Sequence, residues 1–548
     1  MSNTWLIMKG IYGKDLGKWG NIYKELLLSI FLFLIAFLPR IYLLGTIITA
    51  DEMKWVYRSY DFISALLSHD WIGTFITGHP GVTTMWVSGI SMAFKYLSVG
   101  SPTIENLPLY IFCAKFPIAL ITATGCVILY FLVKRIFNEK IAIISSLLVA
   151  LDPFYLAHSR VIHLDVLLAT FMTLSVLCLI IHQNYLKRRY MLFSAIFAGL
   201  AFLTKLPAII LVPFIVISLF LSVHSLANLS NRIKLILLVK NIISFFSIAA
   251  IVFVVLWPVM WIEPLHTVYK LGATAQGAAT HFHEGAGYFM GEIIYSANPF
   301  FYPVTLLLRL TPVSLIFSFL AIVFFLFRTL KIKKLEYIPD RDYKNIGLLL
   351  LYIVLFFSVM MTCLKQGDRY LLPIFPVIDI LAAIGIYYVI YGIISRINKN
   401  KEFKLKWSII FFVALILFQA CSSLPLCPYY LSYYNPMLGG SEKAPRITCV
   451  GWGEGMNLAA DYLNDKENAK NLTVAVQYPG SGPYFKGKTV GMSNASSADY
   501  IVFYISAVQR DRDKNIWEKY KNKKPEKIIT INNINYCWIY KTKVEVNK

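Results

Sequence analysis

Charge is scarce in this sequence. Asp, Glu, Lys and Arg make up 15% of the residues, against about 25% in an ordinary soluble domain. With 57% hydrophobic residues in a chain of 548, a single soluble core is excluded, because such cores stop growing well short of this size. Acidic residues are the scarcer sign: 30 Asp and Glu stand against 52 Lys and Arg, a formal net charge of +22. That excess does not read as a nucleic-acid surface, because the cations lie in short loops between apolar runs, the pattern that orients membrane proteins. The eight cysteines include no CxxC pair and no metal-like spacing, which argues against a redox or zinc motif. Five of them lie in or beside apolar runs; Cys427, Cys449 and Cys537 fall in the tail, with room for one disulfide. No internal repeat and no low-complexity tract is present. The run from about Leu26 to Leu44 lacks a small-residue cleavage site and reads as a retained first span, not a signal peptide.

What the chain does have is apolar sequence in long runs. Phe31–Phe37, Ile141–Leu151, Ile209–Leu221, Ile243–Leu256, Ile346–Met361 and Ile409–Ala420 are nearly uncharged, and a transmembrane helix needs roughly 20 mostly apolar residues. Lys9, Lys14, Lys18 and Lys24 place residues 1–24 in the cytoplasm. Span one then leads to a long outer loop, 45–106, and a second long outer loop covers 258–300. The stretch 191–221 is too long for one span and is interrupted by Lys205 and Pro207, so it divides into two, with Thr204–Pro207 at the outer turn. The fold expected is a polytopic α-helical membrane protein with about eleven spans over residues 25–424, followed by a small extracytoplasmic α/β domain over 425–548. In that tail Val474–Val476, Tyr500–Tyr504, Ile528–Ile531 and Tyr536–Tyr540 have strand character, and Met456–Asn464 and Lys514–Lys521 are helical. Asn471-Leu-Thr and Asn494-Ala-Ser match the glycosylation sequon.

The remaining charges gather at outer span ends: Asp51 and Glu52, His79, Asp152, Arg160, His163 and Asp165, Lys205, and Lys365, Asp368, Arg369 beside Tyr370. A charge at the bilayer centre costs on the order of 3 kcal/mol, so such residues usually pair or serve a site. Each has a plain reading too. Asp51-Glu52 is the solvated exit of a span; Arg160 and Lys205 snorkel; Lys365 and Arg369 form a polar turn; His281 and His283 are solvated loop histidines. Their occurrence together on one face favours a shared polar cavity. The chemistry that fits is transfer from a lipid phosphate, with a carboxylate as general base for a hydroxyl acceptor and Arg and Lys holding the phosphate leaving group. His281-Phe282-His283-Glu284 offers side chains to a divalent ion, but the second outer loop supplies no fourth ligand, so no metal or other cofactor is assigned.

Asp51-Glu52 after span one, followed by His79-Pro80-Gly81, resembles the protein O-mannosyltransferase family, which has an Asp-Glu pair in its first outer loop and then a His-Pro-Pro motif. Leu151-Asp152-Pro153-Phe154 through Arg160 and Asp165 resembles that family's turn between spans three and four. Leu203-Thr204-Lys205 and Lys365…Arg369-Tyr370-Leu371-Leu372-Pro373…Pro376 resemble further family segments, the latter also resembling the lipid A aminoarabinose transferases. All belong to the GT-C class of glycosyltransferases that use polyprenyl-phosphate sugars. The resemblance spans roughly residues 20–425. It implies a GT-C-like fold and an inverting transfer, on the outer face of a cell (plasma or inner) membrane, from a polyprenyl-phosphate sugar donor to a lipid, glycan or protein acceptor. It implies Asp51 as general base, with Glu52 supporting the acceptor. Arg160, Lys205, Lys365, Arg369 and Tyr370 fall at the donor phosphate, and His79, His163 and Asp165 at the acceptor or shaping the site. Two features depart from the family: Gly81 stands at the second proline, and the tail lacks a β-trefoil-like insertion. The tail motif Tyr433-Tyr434-Asn435-Pro436…Gly439-Gly440…Gly451-Trp452-Gly453-Glu454-Gly455 is similar to that of prokaryotic relatives and reads as a lid or acceptor platform, or as a turn-rich linker. The alternative from another class is a transporter or lipid flippase, which would place its charges near the midplane and show repeated halves. A non-catalytic scaffold presenting the tail is the third reading.

Overall fold

The computed structural model describes residues 2–101, 103, 105–226, 229–280, 287–331, 338–390, 401–478 and 484–542. Among them nine helices are long and apolar enough to cross a membrane. The protein is a polytopic α-helical membrane protein with a small sheet domain at its C-terminal end. Helix α1 (Ser2–Ile41) is followed in the first long loop by α2 (Glu52–Leu67) and α3 (Val82–Val99), and then by α4 (Leu107–Ile136). In α2 the buried residues Trp55, Val56, Ser59 and Phe62 recur at helical spacing, so one face packs and the other stays polar. Helix Asp165–Tyr185 is buried along almost its whole length; it forms the centre of the bundle, packed by α4 and by helix Arg188–Thr204.

Two expected spans are short helices, Glu139–Leu151 and Arg188–Thr204. The first is buried from Ile141 onward except at Ile143, so protein, not lipid, surrounds it. The expected break near Thr204–Pro207 is present: helix Arg188–Thr204 stops, Lys205 is extended, and a tight turn over Leu206–Ile210 leads into helix Leu211–His224. Pro207 has no N–H to give and a fixed φ that suits the first turn of a new helix.

The second long loop carries helix Pro264–Thr280 and a small hairpin, β1 (Gly287–Phe289) with β2 (Glu292–Ile294). The tail holds β3 (Thr473–Val476), β4 (Lys488–Gly491), β5 (Tyr500–Tyr504), β6 (Lys527–Ile531) and β7 (Ile534–Lys541). These form one sheet in the order β4-β3-β5-β7-β6, parallel across β4, β3 and β5 and antiparallel across β5, β7 and β6. All of β5 is buried: Tyr500, Val502 and Tyr504 join one apolar cluster while Ile501 and Phe503 join another on the opposite face, as the alternation of a strand covered on both sides requires. Asn532 and Asn533, both at positive φ, make the two-residue turn that the twist of the β6–β7 hairpin favours. Cys427, Cys449 and Cys537 are free thiols, and no disulfide joins the described residues.

Candidate active site

Four chain turns converge outside the bundle: the segment between α1 and α2, the turn before Asp165, the break at Lys205, and the 365–370 loop. They frame a cleft of about 390 Å³ whose walls include Asp51, Trp55, Arg58, His79, His163, Lys205, Lys365, Arg369 and Tyr370. Asp51 Oδ2 lies 3.0 Å from Arg369 Nη1 and 3.9 Å from His163 Nε2. The same oxygen accepts a hydrogen bond of 3.2 Å from the indole N–H of Trp452. Behind this pair, Asp165 Oδ2 is 2.7 Å from His163 Nδ1 and 4.0 Å from Arg369 Nε, and its Oδ1 accepts from Lys205 Nζ at 2.5 Å. Asp165 opens the central buried helix, where a carboxylate is favoured by the helix dipole; it is the counter-ion that lets Lys205 and Arg369 be held out of water. The Lys205 ammonium also lies 4.5 Å from the Tyr370 ring centre, a cation–π contact.

Electrostatics fix the charge states. Burial pushes the Asp51 carboxyl up, but Arg369 and then His163 outweigh it and hold the group down at about 2, so Asp51 is an anion at any physiological pH. His79 is driven to neutrality: burial, then the Lys205 and Lys365 cations, lower its imidazole to about 4. His163 is also lowered, by burial first, against the pull of Asp165. The cleft therefore presents ionised Asp51 among cations, with Lys54, Arg58 and Lys365 in no ion pair among the described residues.

Glu52 and Arg160, expected at the acceptor and the donor phosphate, are not brought to this cleft. One residue along α2 is about 100° of rotation, which turns Glu52 away from Asp51 and into the protein. Its Oε2 accepts from the Thr49 N–H at 2.6 Å, its Oε1 accepts from the Ile162 N–H at 2.9 Å, and it pairs with buried Lys115 at 3.1 Å. Arg160 is occupied by the end of α1: Nη1 donates to the carbonyl oxygens of Pro39, Arg40 and Tyr42 and Nη2 to that of Leu43, at 2.6 to 3.1 Å. Those carbonyls have no partner within the helix. Through these contacts the two residues tie the 159–165 turn to the segment bearing Asp51. Gly81 has a reason as well. Its φ is +60°, closed to proline, and a Cβ there would collide with the ring of Trp55. His281, His283 and Glu284 lie outside the described residues; among the described residues no group of three His, Cys, Asp or Glu side chains is placed to hold a metal.

Residues 110–251 match the family model for dolichyl-phosphate-mannose-protein mannosyltransferase. The chain resembles the GT-C glycosyltransferases. The matched segment carries Arg160, His163, Asp165 and Lys205 but neither Asp51 nor the 365–370 loop. No curated protein matches the chain. Among solved structures, the archaeal oligosaccharyltransferase AglB from Archaeoglobus fulgidus, in complex with an inhibitory peptide and a dolichol-phosphate, is 13% identical at a TM-score of 0.49, over 92% of this chain and 73% of its own. ArnT from Cupriavidus metallidurans, bound to undecaprenyl phosphate, is 12% identical at a TM-score of 0.41, over 96% of this chain and 98% of its own.

Sequence reasoning missed Lys54, Arg58 and Arg309. Lys54 and Arg58 stand four residues apart on α2, a spacing that puts both on Asp51's side of an amphipathic helix and was visible in the sequence. Arg309 reads as the basic end of a helix, yet it is buried. Its Nη2 is 2.7 Å from Asp368 Oδ2, and its Nη1 donates to the carbonyls of Leu431 and Tyr433. It anchors the 365–370 loop to the tail motif, and nothing local in the sequence marks that pairing.

Proposed function

We propose that the protein is a membrane glycosyltransferase that moves a sugar from a polyprenyl-phosphate donor to a hydroxyl acceptor on the outer face of the membrane, with inversion. The observation that carries this reading is the cleft itself: one ionised carboxylate, Asp51, facing a set of cations at the mouth of an apolar bundle. Asp51 takes the acceptor proton as the acceptor oxygen attacks the anomeric carbon. The bond from that carbon to the phosphate oxygen breaks, and the electron pair leaves on the lipid phosphate. Lys205, Lys365 and Arg369 stabilise the charge that develops there, with Tyr370 packed beneath Lys205. Arg369 is shared between the two roles. Once a donor phosphate draws part of its charge, the Asp51 carboxylate is less stabilised and becomes a better base. His79, neutral, is a hydrogen-bond partner for sugar or acceptor; His163 and Asp165 hold the wall. The likeness of residues 110–251 to a mannosyltransferase family supports the reaction class. The positive-inside distribution of lysine and arginine supports the outer side.

Asp51→Asn, expressed at the wild-type level, should abolish sugar transfer from polyprenyl-phosphate donors in nanodiscs. Near-normal turnover by that variant would sink the assignment. Sugar accumulation in sealed vesicles with no new glycosidic bond would replace it with the transporter reading.

A further inference from the structure

The base assigned above is completed by a residue from the far end of the chain. Asp51 and Trp452 are 401 positions apart, and the tail docks on the Asp51 segment at several atoms. The Ala50 N–H donates to Tyr478 Oη at 2.9 Å and to the Trp452 carbonyl at 3.3 Å. Gly453, at φ +130°, lies so close that a Cβ would stand 2.5 Å from the Ile48 carbonyl oxygen; only glycine permits that approach. Glu454 accepts from the Trp452 N–H at 2.6 Å and fixes the turn. The Trp452 ring lies 4.5 Å from the Arg369 guanidinium and 5.2 Å from the His163 ring. It thus touches Asp51 and both groups paired with it, Arg369 and His163.

The two donors from Arg369 and Trp452 both fall on Asp51 Oδ2. No hydrogen bond among the described residues reaches Oδ1. We infer that Trp452 is a positioning residue of the transfer reaction: with Arg369 it pins Oδ2, so that Oδ1 alone faces the cleft and takes the proton of the acceptor hydroxyl. This rests on the reading of Asp51 as general base. Neither oxygen could be presented reproducibly by a carboxylate free to rotate, and an indole N–H is a donor that cannot compete for the acceptor's proton.

The test uses the full chain in nanodiscs, with the polyprenyl-phosphate donor that the wild type turns over. Trp452→Phe keeps a ring over Arg369 and removes the N–H. It should lower kcat about tenfold with the donor KM unchanged, and raise the acidic limb of the kcat profile by about one pH unit, since a donor to the charged form is lost. The indole 1H–15N signal missing from Trp452→Phe belongs to Trp452; in Asp51→Asn that signal should move upfield, because its acceptor is no longer an anion, and this needs no substrate. An inactive Asp51→Asn together with wild-type kcat and pH profile in Trp452→Phe overturns the inference and leaves the base assignment standing. An indole signal unmoved by Asp51→Asn overturns it as well. An active Asp51→Asn overturns the assignment on which both rest.

Discussion

At the scale of single residues, burial and different sets of cations perturb Asp51 and His79, with pH consequences of the same sign. The Asp51 carboxyl is lowered from 3.8 to about 2, a contribution to folding of about 2 kcal/mol. The unfolded chain binds the proton more tightly, so that stability is fully present above about pH 4 and is lost as pH falls towards 2. In Arg369→Gln the strongest influence opposing the burial of Asp51 is lost, and the acidic limb of the transfer rate should move up; a limb that stays put would show that Arg369 does not set this group. His79, lowered from 6.5 to about 4, also binds its proton more tightly when unfolded, so its term grows as pH rises through that window. Lys365→Gln should raise its midpoint towards 6.5, as read from the His79 ring signals by NMR. Glu52 teaches a different lesson. Its neighbour in sequence is the residue of interest, but its own hydrogen bonds point inward. Lys115→Met, which leaves Glu52 buried without its cation, should destabilise the protein by about 3–5 kcal/mol and be seen as lost thermal stability, with much of the loss recovered by adding Glu52→Gln.

At the scale of elements, what could be foreseen depended on whether the signal was periodic or tertiary. Helix Met456–Asn464 and strand Tyr500–Tyr504 have the expected bounds because apolar spacing and strand-forming residues are local properties. Strand β4, Lys488–Gly491, carries charge and glycine, is exposed or half-buried throughout, and forms because β3 offers it an edge; no local pattern marks it. The cleft residues were legible for a physical reason: Asp51, Lys205, Lys365 and Arg369 are charges where apolar runs end. Arg160 satisfied the same criterion and serves the backbone instead, a difference that only the placement of α1's last carbonyls decides. Close helix approach is equally tertiary. A Cβ on Gly385 would strike the Phe317 carbonyl of the facing helix Pro312–Thr329, so Gly385→Ala should force these helices apart and destabilise the bundle by about 1–3 kcal/mol. A thermal-unfolding midpoint equal to wild type would contradict the contact.

At the scale of the whole molecule, the polar site also does arithmetic on the chain. Groups that hydrogen-bond to one another lie on one side of a membrane, so the chain between them crosses an even number of times. Asp51 meets His163, yet among the described residues only one helix between them, Leu107–Ile136, has full spanning length. The short helix Glu139–Leu151, continued by Pro153–His158, must therefore bring the chain back. Lys205 pairs with Asp165, so Arg188–Thr204 must likewise reverse the crossing made by Asp165–Tyr185. Adding these two to the nine helices of spanning length gives eleven crossings among the described residues. Cysteine substitutions at Ser101 and Ser497, in a background without the exposed Cys421, should then be labelled by an impermeant thiol reagent from one side, and one at Arg188 from the other. The Asp51–Trp452 contact closes the count by demanding parity over 401 residues. Inserting or deleting any single crossing between them would put the two halves of the site in different aqueous compartments, so this topology can only evolve by pairs.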